Sequence, residues 1–484
     1  MTRPGNVPLA TAEAKIEAHS SVLRKELGLF DLVLAQILLV IVLDFFGTAA
    51  KAGSAHVVFW LLAYVLFFIP LAVVVAHLNR LMPLEGGLYE WARLAFNDQI
   101  GFLVAWNLWL FVILYVAVIG LVTTTFVAYA LGPTAAWIAS SKWLILVVSV
   151  GFIGAMSLLA ALGLGVGKWL GNVGSIATLI VLAVLIAAPP LNLWRGTLAE
   201  YHPLRLVMPP LTVFSLSVFT KMMFGALSGF EYVAIFAGEC RNPARNLTRS
   251  VLITAPFIAL IYILATSSIL AFVSPEAVDV VGPIPQALRL GSRAFGVAGF
   301  IVPLAIVLLF VNYPTSFSVY FSASARLPMV AGWDHLLPDW FTRLHAGRKT
   351  PVNSIIFLGA VTLAGSVAAL IGVGSQEAYE LLLTWAFTFY GIAYLALFAI
   401  PFLSPKDRGL RPGLWLRLAA LSGFLMTLLY VALSIFPIIS VEISSHYSLK
   451  IAAVVLGANF LGWMIYQAGQ RKAANCSLES LSSK

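Results

Sequence analysis

The sequence predicts an all-α polytopic membrane protein with about twelve transmembrane helices, and three observations predict it. Of its 484 residues, 61% are hydrophobic and only 10% are charged, against about 25% charged in soluble domains. Apolar windows of roughly 20 residues, enough to cross about 30 Å of hydrocarbon, recur along the whole chain. The basic residues gather in loops that alternate between such windows. Lipid is therefore the solvent for most of the protein.

The windows place spans near 30–52, 57–80, 100–131, 143–162, 169–190, 211–238, 251–273, 297–325, 353–373, 379–402, 414–436 and 449–468. With both termini in the cytoplasm of a cell membrane, Lys and Arg favour the inner side by roughly three to one, the bias the positive-inside rule asks of an even number of spans. The formal charge of +9 is then a matter of topology, and no nucleic-acid partner is called for. Residues 1–27 read as a cytoplasmic N-terminal tail. They carry Glu13, Glu17 and Glu26 among basic residues and have no short apolar core with a small-residue cleavage site, so they do not read as a secretory signal. Residues 28–470 form the membrane domain. Residues 471–484 form a second cytoplasmic tail, rich in Ser from Cys476 and expected to be disordered. Both cysteines, Cys240 and Cys476, fall on the cytoplasmic side, where thiols stay reduced. They imply neither a disulfide nor a metal site, and no cofactor is expected. The longest external loops, near 191–210 and 274–294, leave no room for an ectodomain. An intramembrane enzyme would need a nucleophile with its base or a metal cluster, and no such spacing is present. Nothing in the sequence sets the oligomeric state.

Taken in order, the spans carry a few polar residues that need an explanation. A charge at the bilayer centre costs at least about 2.5 to 3.5 kcal/mol, so each is by default functional and has a partner. In the first span that residue is Asp44. Counting about 1.5 Å of rise per residue puts Asp44 and Lys221, of the oppositely running sixth span, both toward the outside. The expectation is an Asp44–Lys221 ion pair; the alternatives are a substrate ammonium on Asp44 or a carboxylate on Lys221. Trp60, Trp143 and Trp194 near span ends are expected as interfacial anchors, and His77 as a packed or interfacial histidine. From the third span, Asn107 and Tyr115 could face a cavity. Pro70, Pro256, Pro303 and Pro314 are expected to kink helices whose freed carbonyls find other partners. In the eighth span, Thr315, Ser316 and Ser318 could ligate sodium, but hydroxyls in membrane helices more often bond their own backbone.

The sixth span is the most informative. Within Phe219–Glu239 it holds Gly225 and Gly229 at small-xxx-small spacing, with Lys221 and Glu231 inside. The glycines fit a close helix crossing or a discontinuous helix whose freed backbone groups hold a substrate near the midplane. Glu231 lies about two turns cytoplasmic of Lys221, beyond easy reach of it. It either accepts hydrogen bonds from broken backbone or takes up and releases a proton during transport, and the second role is the expectation.

Gly229-Phe230-Glu231 followed by Gly238-Glu239-Cys240-Arg241-Asn242-Pro243-Ala244-Arg245-Asn246 resembles the sixth span and following loop of the amino acid-polyamine-organocation (APC) transporters. Glu85-Gly86-Gly87, Tyr89 and Trp91 with Ala95-Phe96 are similar to the family's loop after the second span. A third block, Ser324-Ala325-Arg326 with Leu337-Pro338, Phe341, His345 and Thr350-Pro351-Val352, also resembles it. The stretch Thr48-Ala49-Ala50-Lys51-Ala52-Gly53 is most similar to the glutamate/GABA antiporter-like branch.

The resemblance implies a LeuT-like core of two inverted five-helix repeats, about 30–190 and 211–402, with two extra helices at about 414–468. It also implies a site between broken first and sixth spans: Val40, Ile41, Asp44 and Phe45 from the first, and Phe224, Gly225, Ala226 and Gly229 from the sixth. Glu231 matches the acid that arginine/agmatine antiporters link to protons, and Phe224 lies beside their gating aromatic. Two departures stand out. Leu38-Leu39-Val40-Ile41-Val42-Leu43 lacks the glycine turn that holds a substrate carboxylate in many relatives, and Val181 stands where several proton-linked relatives carry a lysine. The function implied is secondary active transport of an amino acid by alternating access, proton-coupled or as an exchanger, with the bilayer, protons and the small-molecule substrate as partners. An organic amine or polyamine transporter, or a nutrient sensor that binds without transporting, would use the same site.

Overall fold

The computed structural model describes residues 28–81, 87–162, 167–231, 243–330, 339–343, 345, 350–403, 413–441 and 443–482. Among these, ten helices are long and apolar enough to cross a membrane. Two shorter apolar helices, Leu29–Val40 and Val213–Leu227, stand where the first and sixth spans were expected. The protein is thus an all-α multi-pass membrane protein, and the two short helices are short because both spans are broken. The tenth span, Ser375–Leu403, packs along the third, Asp98–Val116, and the eleventh, Leu414–Leu433. The fifth, Gly167–Trp194, packs along the eighth, Ala298–Val330. Two amphipathic helices, Leu88–Ala95 and Pro283–Arg293, join spans two to three and seven to eight.

The first span stops at Val40 and resumes at Phe45–Ala50. No glycine is needed there. Ile41 leaves the helix at φ −80°, ψ 83°, away from the left-handed region that glycine serves. The sixth span starts under a Thr212 cap, whose hydroxyl accepts the Ser215 N–H. It ends at Ser228, where Gly229 turns to φ 119°, a conformation that strains any side-chain-bearing residue. The two glycines therefore divide the roles expected of both. Gly229 makes the break, whereas Gly225 stays helical and serves a close crossing: a Cβ there would sit 2.0 Å from the Phe45 ring. The breaks also face each other, since a Cβ on Gly229 would meet the Leu39 carbonyl at 3.3 Å.

Other spans depart locally from their expectations. The second runs His56–Ala63, takes a π turn at Tyr64–Phe68 just before Pro70, and continues as Ile69–Leu81. Trp60 on it is no interfacial anchor. It is fully buried, its indole N–H donates to Thr266 Oγ1 at 3.2 Å, and its ring stacks on Tyr262 at 4.6 Å. Trp143 and Trp194 are outward-facing. The last helix runs Ser444–Ser482 and so continues through the segment expected to be disordered, because residues 471–482 contain no Gly or Pro to stop it. The leader 1–27 lies outside the described residues, as do Glu85-Gly86, Gly238 to Asn242 and Leu337-Pro338.

Replacing Gly225 with Ala overpacks a filled site and is expected to cost about 1–3 kcal/mol, read as a lower apparent melting temperature in detergent. Combining it with Phe45→Leu, which removes the obstructing ring, is expected to recover most of the loss. A Gly225→Ala protein as stable as the parent would contradict this packing.

Candidate functional site

The two breaks free backbone groups in a region without water, and tyrosine hydroxyls meet them. Tyr262, on the seventh span, accepts the Val42 N–H at 2.9 Å; its hydroxyl lies 2.9 Å from the Val40 carbonyl and 3.1 Å from the Ala226 carbonyl. Tyr320, on the eighth, donates to the Leu39 carbonyl at 3.2 Å. Tyr394, on the tenth, accepts the Gly229 N–H at 2.8 Å. One side chain, Tyr262, thus serves both breaks.

Asp44 closes the first break, directly before the helix Phe45–Ala50, and is 2% exposed. Three phenols from three spans converge on it: Tyr379 donates to Oδ1 at 2.8 Å, Tyr313 to Oδ1 at 3.3 Å and Tyr115 to Oδ2 at 3.2 Å. Tyr115 therefore faces the site as expected. Asn107 does not; its amide donates to the Leu103 carbonyl and to Asn459 Oδ1, both at 2.8 Å, tying the third span to the twelfth.

The expected Asp44–Lys221 ion pair is not formed. Lys221 instead pairs with Glu380 of the tenth span, Nζ to Oε1 2.5 Å, and donates to Thr384 Oγ1 at 3.1 Å. Its ammonium also lies 5.7 Å from the Tyr447 ring. Depth counting assumed straight, unbroken spans, and Asp44 sits in a break, where that count fails. Among the described residues Asp44 makes no ion pair. It keeps three hydroxyl donors instead.

Glu231 is buried two residues beyond Gly229, on the C-terminal side of the sixth-span break. Its two carboxyl oxygens each take one short hydrogen bond, Oε1 from Tyr390 and Oε2 from Tyr394. Tyr394 is the same residue that accepts the Gly229 N–H. The ring lying across the two breaks is Phe45, which covers Gly225 and meets Phe387 edge-on at 4.8 Å. Phe224, the expected neighbour of a gating aromatic, instead stacks on Tyr430 of the eleventh span at 4.5 Å, edge-on to Tyr394.

The space beside Ile41, Asp44, Tyr115, Asn312, Ser316 and Tyr320 is only about 10 Å³, roughly one water and far below the about 300 Å³ at which small-molecule pockets start. A separate vestibule of about 830 Å³ is lined by Lys142, Asp279, Glu377, His446 and Lys450, among others. Thr315 Oγ1 donates to the Val311 carbonyl at 2.6 Å, and Ser316 lies 3.4 Å from Asn312 Oδ1. Both of these contacts are within one helix, and the Ser318 side chain lies outside the described residues. Val181 is buried on the fifth span.

A family profile described as amino acid permease matches residues 27–459. The chain belongs to the amino acid permease family. An uncharacterized transporter of Legionella pneumophila is 24% identical, covering 78% of this chain and 80% of its own length. The human b(0,+)-type amino acid transporter 1 is 24% identical over 76% of this chain and 72% of its own. A probable agmatine/putrescine antiporter of Lactococcus lactis is 23% identical, and the match covers only 51% of this chain and 52% of that protein. These relatives are transporters, and the family assigns this permease the movement of amino acids across a membrane.

What the sequence left unread in this permease was the tenth span. Glu380 sits near its expected start, where a charge passes for an interfacial residue. Tyr379, Tyr390 and Tyr394 were readable as one helical face, since eleven and four residues are close to whole numbers of turns.

Removing one partner of the Lys221–Glu380 pair strands the other and is expected to cost about 3–5 kcal/mol. Lys221→Glu with Glu380→Lys should regain thermal stability that each single change loses. Asp44→Lys with Lys221→Asp should not. Rescue by the second exchange and not the first, read by fluorescence-detected size exclusion on heating, would contradict the pairing.

Proposed function

We propose that this permease is a secondary active amino acid transporter of a cell membrane, with both termini cytoplasmic, working by alternating access at the paired breaks and coupled to protons or to exchange through Glu231. The observation that carries the proposal is the chain of contacts from Gly229 N–H to Tyr394 to Glu231. An ionised carboxylate only accepts hydrogen bonds, whereas its protonated form must also donate one. With both oxygens already taken by phenol donors, a proton on Glu231 obliges Tyr390 or Tyr394 to turn its hydroxyl. When Tyr394 turns, its oxygen must accept from Glu231 as well as from the Gly229 N–H, so the bond that holds the backbone at the sixth-span break is shared. Protonation is thereby converted into a change at the hinge on which alternating access depends.

Asp44 supplies the other half of the reading. Lys221 is neutralised by Glu380, so among the described residues the carboxylate near the first break has three hydroxyl donors and no ion-pair partner. We assign it to the amino group of the substrate, whose ammonium replaces phenol donors with a charge-assisted bond. The freed backbone of Val40 and Ile41, with Gly225, Ala226 and Gly229 opposite and Phe45 as the ring that must move, forms the rest of the site. That one relative is named a probable antiporter supports exchange as the mode.

Uptake into proteoliposomes across a pH series tests the proton role. Glu231→Gln is expected to abolish pH-dependent accumulation while leaving substrate-induced thermal stabilisation in place. An unchanged pH dependence would remove Glu231 from the mechanism.

A further inference from the structure

We propose that the buried pair Lys221–Glu380 is the outer latch of the permease, holding the tenth span closed over Asp44 until water from the vestibule reaches it. This rests on the alternating-access reading above and adds positioning residues to it. Four consecutive residues carry the argument. Glu377 lines the vestibule. Ala378 is fully buried. Tyr379 donates to Asp44. Glu380 pairs with Lys221 at 2.5 Å, both nearly inaccessible. One turn of helix thus runs from open water to the clamp on the substrate acid.

Tyr379 occupies Asp44 Oδ1, so on this proposal a solute that binds Asp44 from the vestibule side displaces it. Because Glu380 is the next residue on the same helix, the movement that frees Tyr379 also pulls on the ion pair. Lys221 is on the helix Val213–Leu227 that ends at the sixth-span break, so the pair joins the two elements that must part. Its other contacts reinforce the anchorage: Thr384 Oγ1 at 3.1 Å on the tenth span and Tyr447 Oη at 3.5 Å on the twelfth. Separating buried ions without water strands both charges, so such a pair parts only when solvent enters with the movement. Closed and dry, the pair is stable. Open and wet, its attraction falls about fourfold with the rising dielectric. The pair therefore has two consistent states and disfavours anything between.

Stranding one charge should favour the open state, because an unpaired buried ammonium is relieved by admitting water. The reporter is a cysteine at Ala378, labelled from outside by a charged, membrane-impermeant maleimide in right-side-out vesicles holding the full chain. Glu380→Gln is expected to raise the labelling rate about tenfold or more, the ratio that corresponds to part of a buried-charge penalty. Lys221→Met with Glu380→Leu, which leaves no charge to hydrate, and the exchange Lys221→Glu with Glu380→Lys should both return it to near the parental rate. Should Glu380→Gln fail to fold, Lys221→Gln strands Glu380 instead and carries the same expectation. A folded single variant with parental labelling, or double variants as open as the single one, would overturn the latch. Labelling needs no flux, so loss of the Glu231 proton role would leave this result intact, and failure of the latch would leave that role untouched.

Discussion

Backbone groups released inside a membrane must be paired by the protein, and in this permease that constraint falls on Tyr262. Its hydroxyl meets Val42 N–H and the Val40 and Ala226 carbonyls, which belong to the two broken spans. The ring that carries this hydroxyl is itself fixed, stacked on Trp60 at 4.6 Å and packed against Phe46 at 4.9 Å. Trp60 is in turn held by Thr266 on the seventh span. A spanning segment without water can be irregular only where such partners exist. The breaks, and with them the site, exist because the second, seventh, eighth and tenth spans place aromatic and hydroxyl groups where the first and sixth come apart.

The tenth span reads both acids. Tyr379 holds Asp44, while Tyr390 and Tyr394 hold Glu231. Eleven residues of helix between Tyr379 and Tyr390 amount to about 16 Å, so one helix measures the distance from one acid to the other. Phe45, Phe111 and Phe387 fill the space between, with Tyr390 stacked on Phe111 at 4.2 Å. A change at either acid is delivered to the same helix, and on the proposed reading this couples a proton at Glu231 to a substrate at Asp44 without contact between them.

Much of this was legible in the sequence. The apolar windows located the spans because bilayer thickness fixes their length. Gly229 marked a break because φ 119° admits little else, and Glu231 stood out as a charge that lipid does not tolerate unpaired. What was not legible depended on contacts far apart along the chain. The tyrosines on Asp44 are 71, 269 and 335 residues away from it, and no local pattern joins them. Lys221 was given the wrong acid because straight-helix depth counting does not survive a break. The first span was noted as lacking the glycine turn that holds a substrate carboxylate in many relatives, yet Ile41 makes the break in a conformation open to any residue. Trp60 passed for an anchor since position near a span end says nothing about which way a side chain faces.

The central claim is that the breaks persist because tyrosine hydroxyls satisfy them, and Tyr262→Phe tests it most directly. The substitution removes one oxygen and keeps the ring. Leaving buried backbone groups unmet costs about 1–3 kcal/mol for each. The account predicts a clear fall in apparent melting temperature for the detergent-purified permease together with loss of uptake, while Tyr129→Phe, near the C-terminal end of the third span, changes stability far less. A Tyr262→Phe protein that melts and transports like the parent would contradict it.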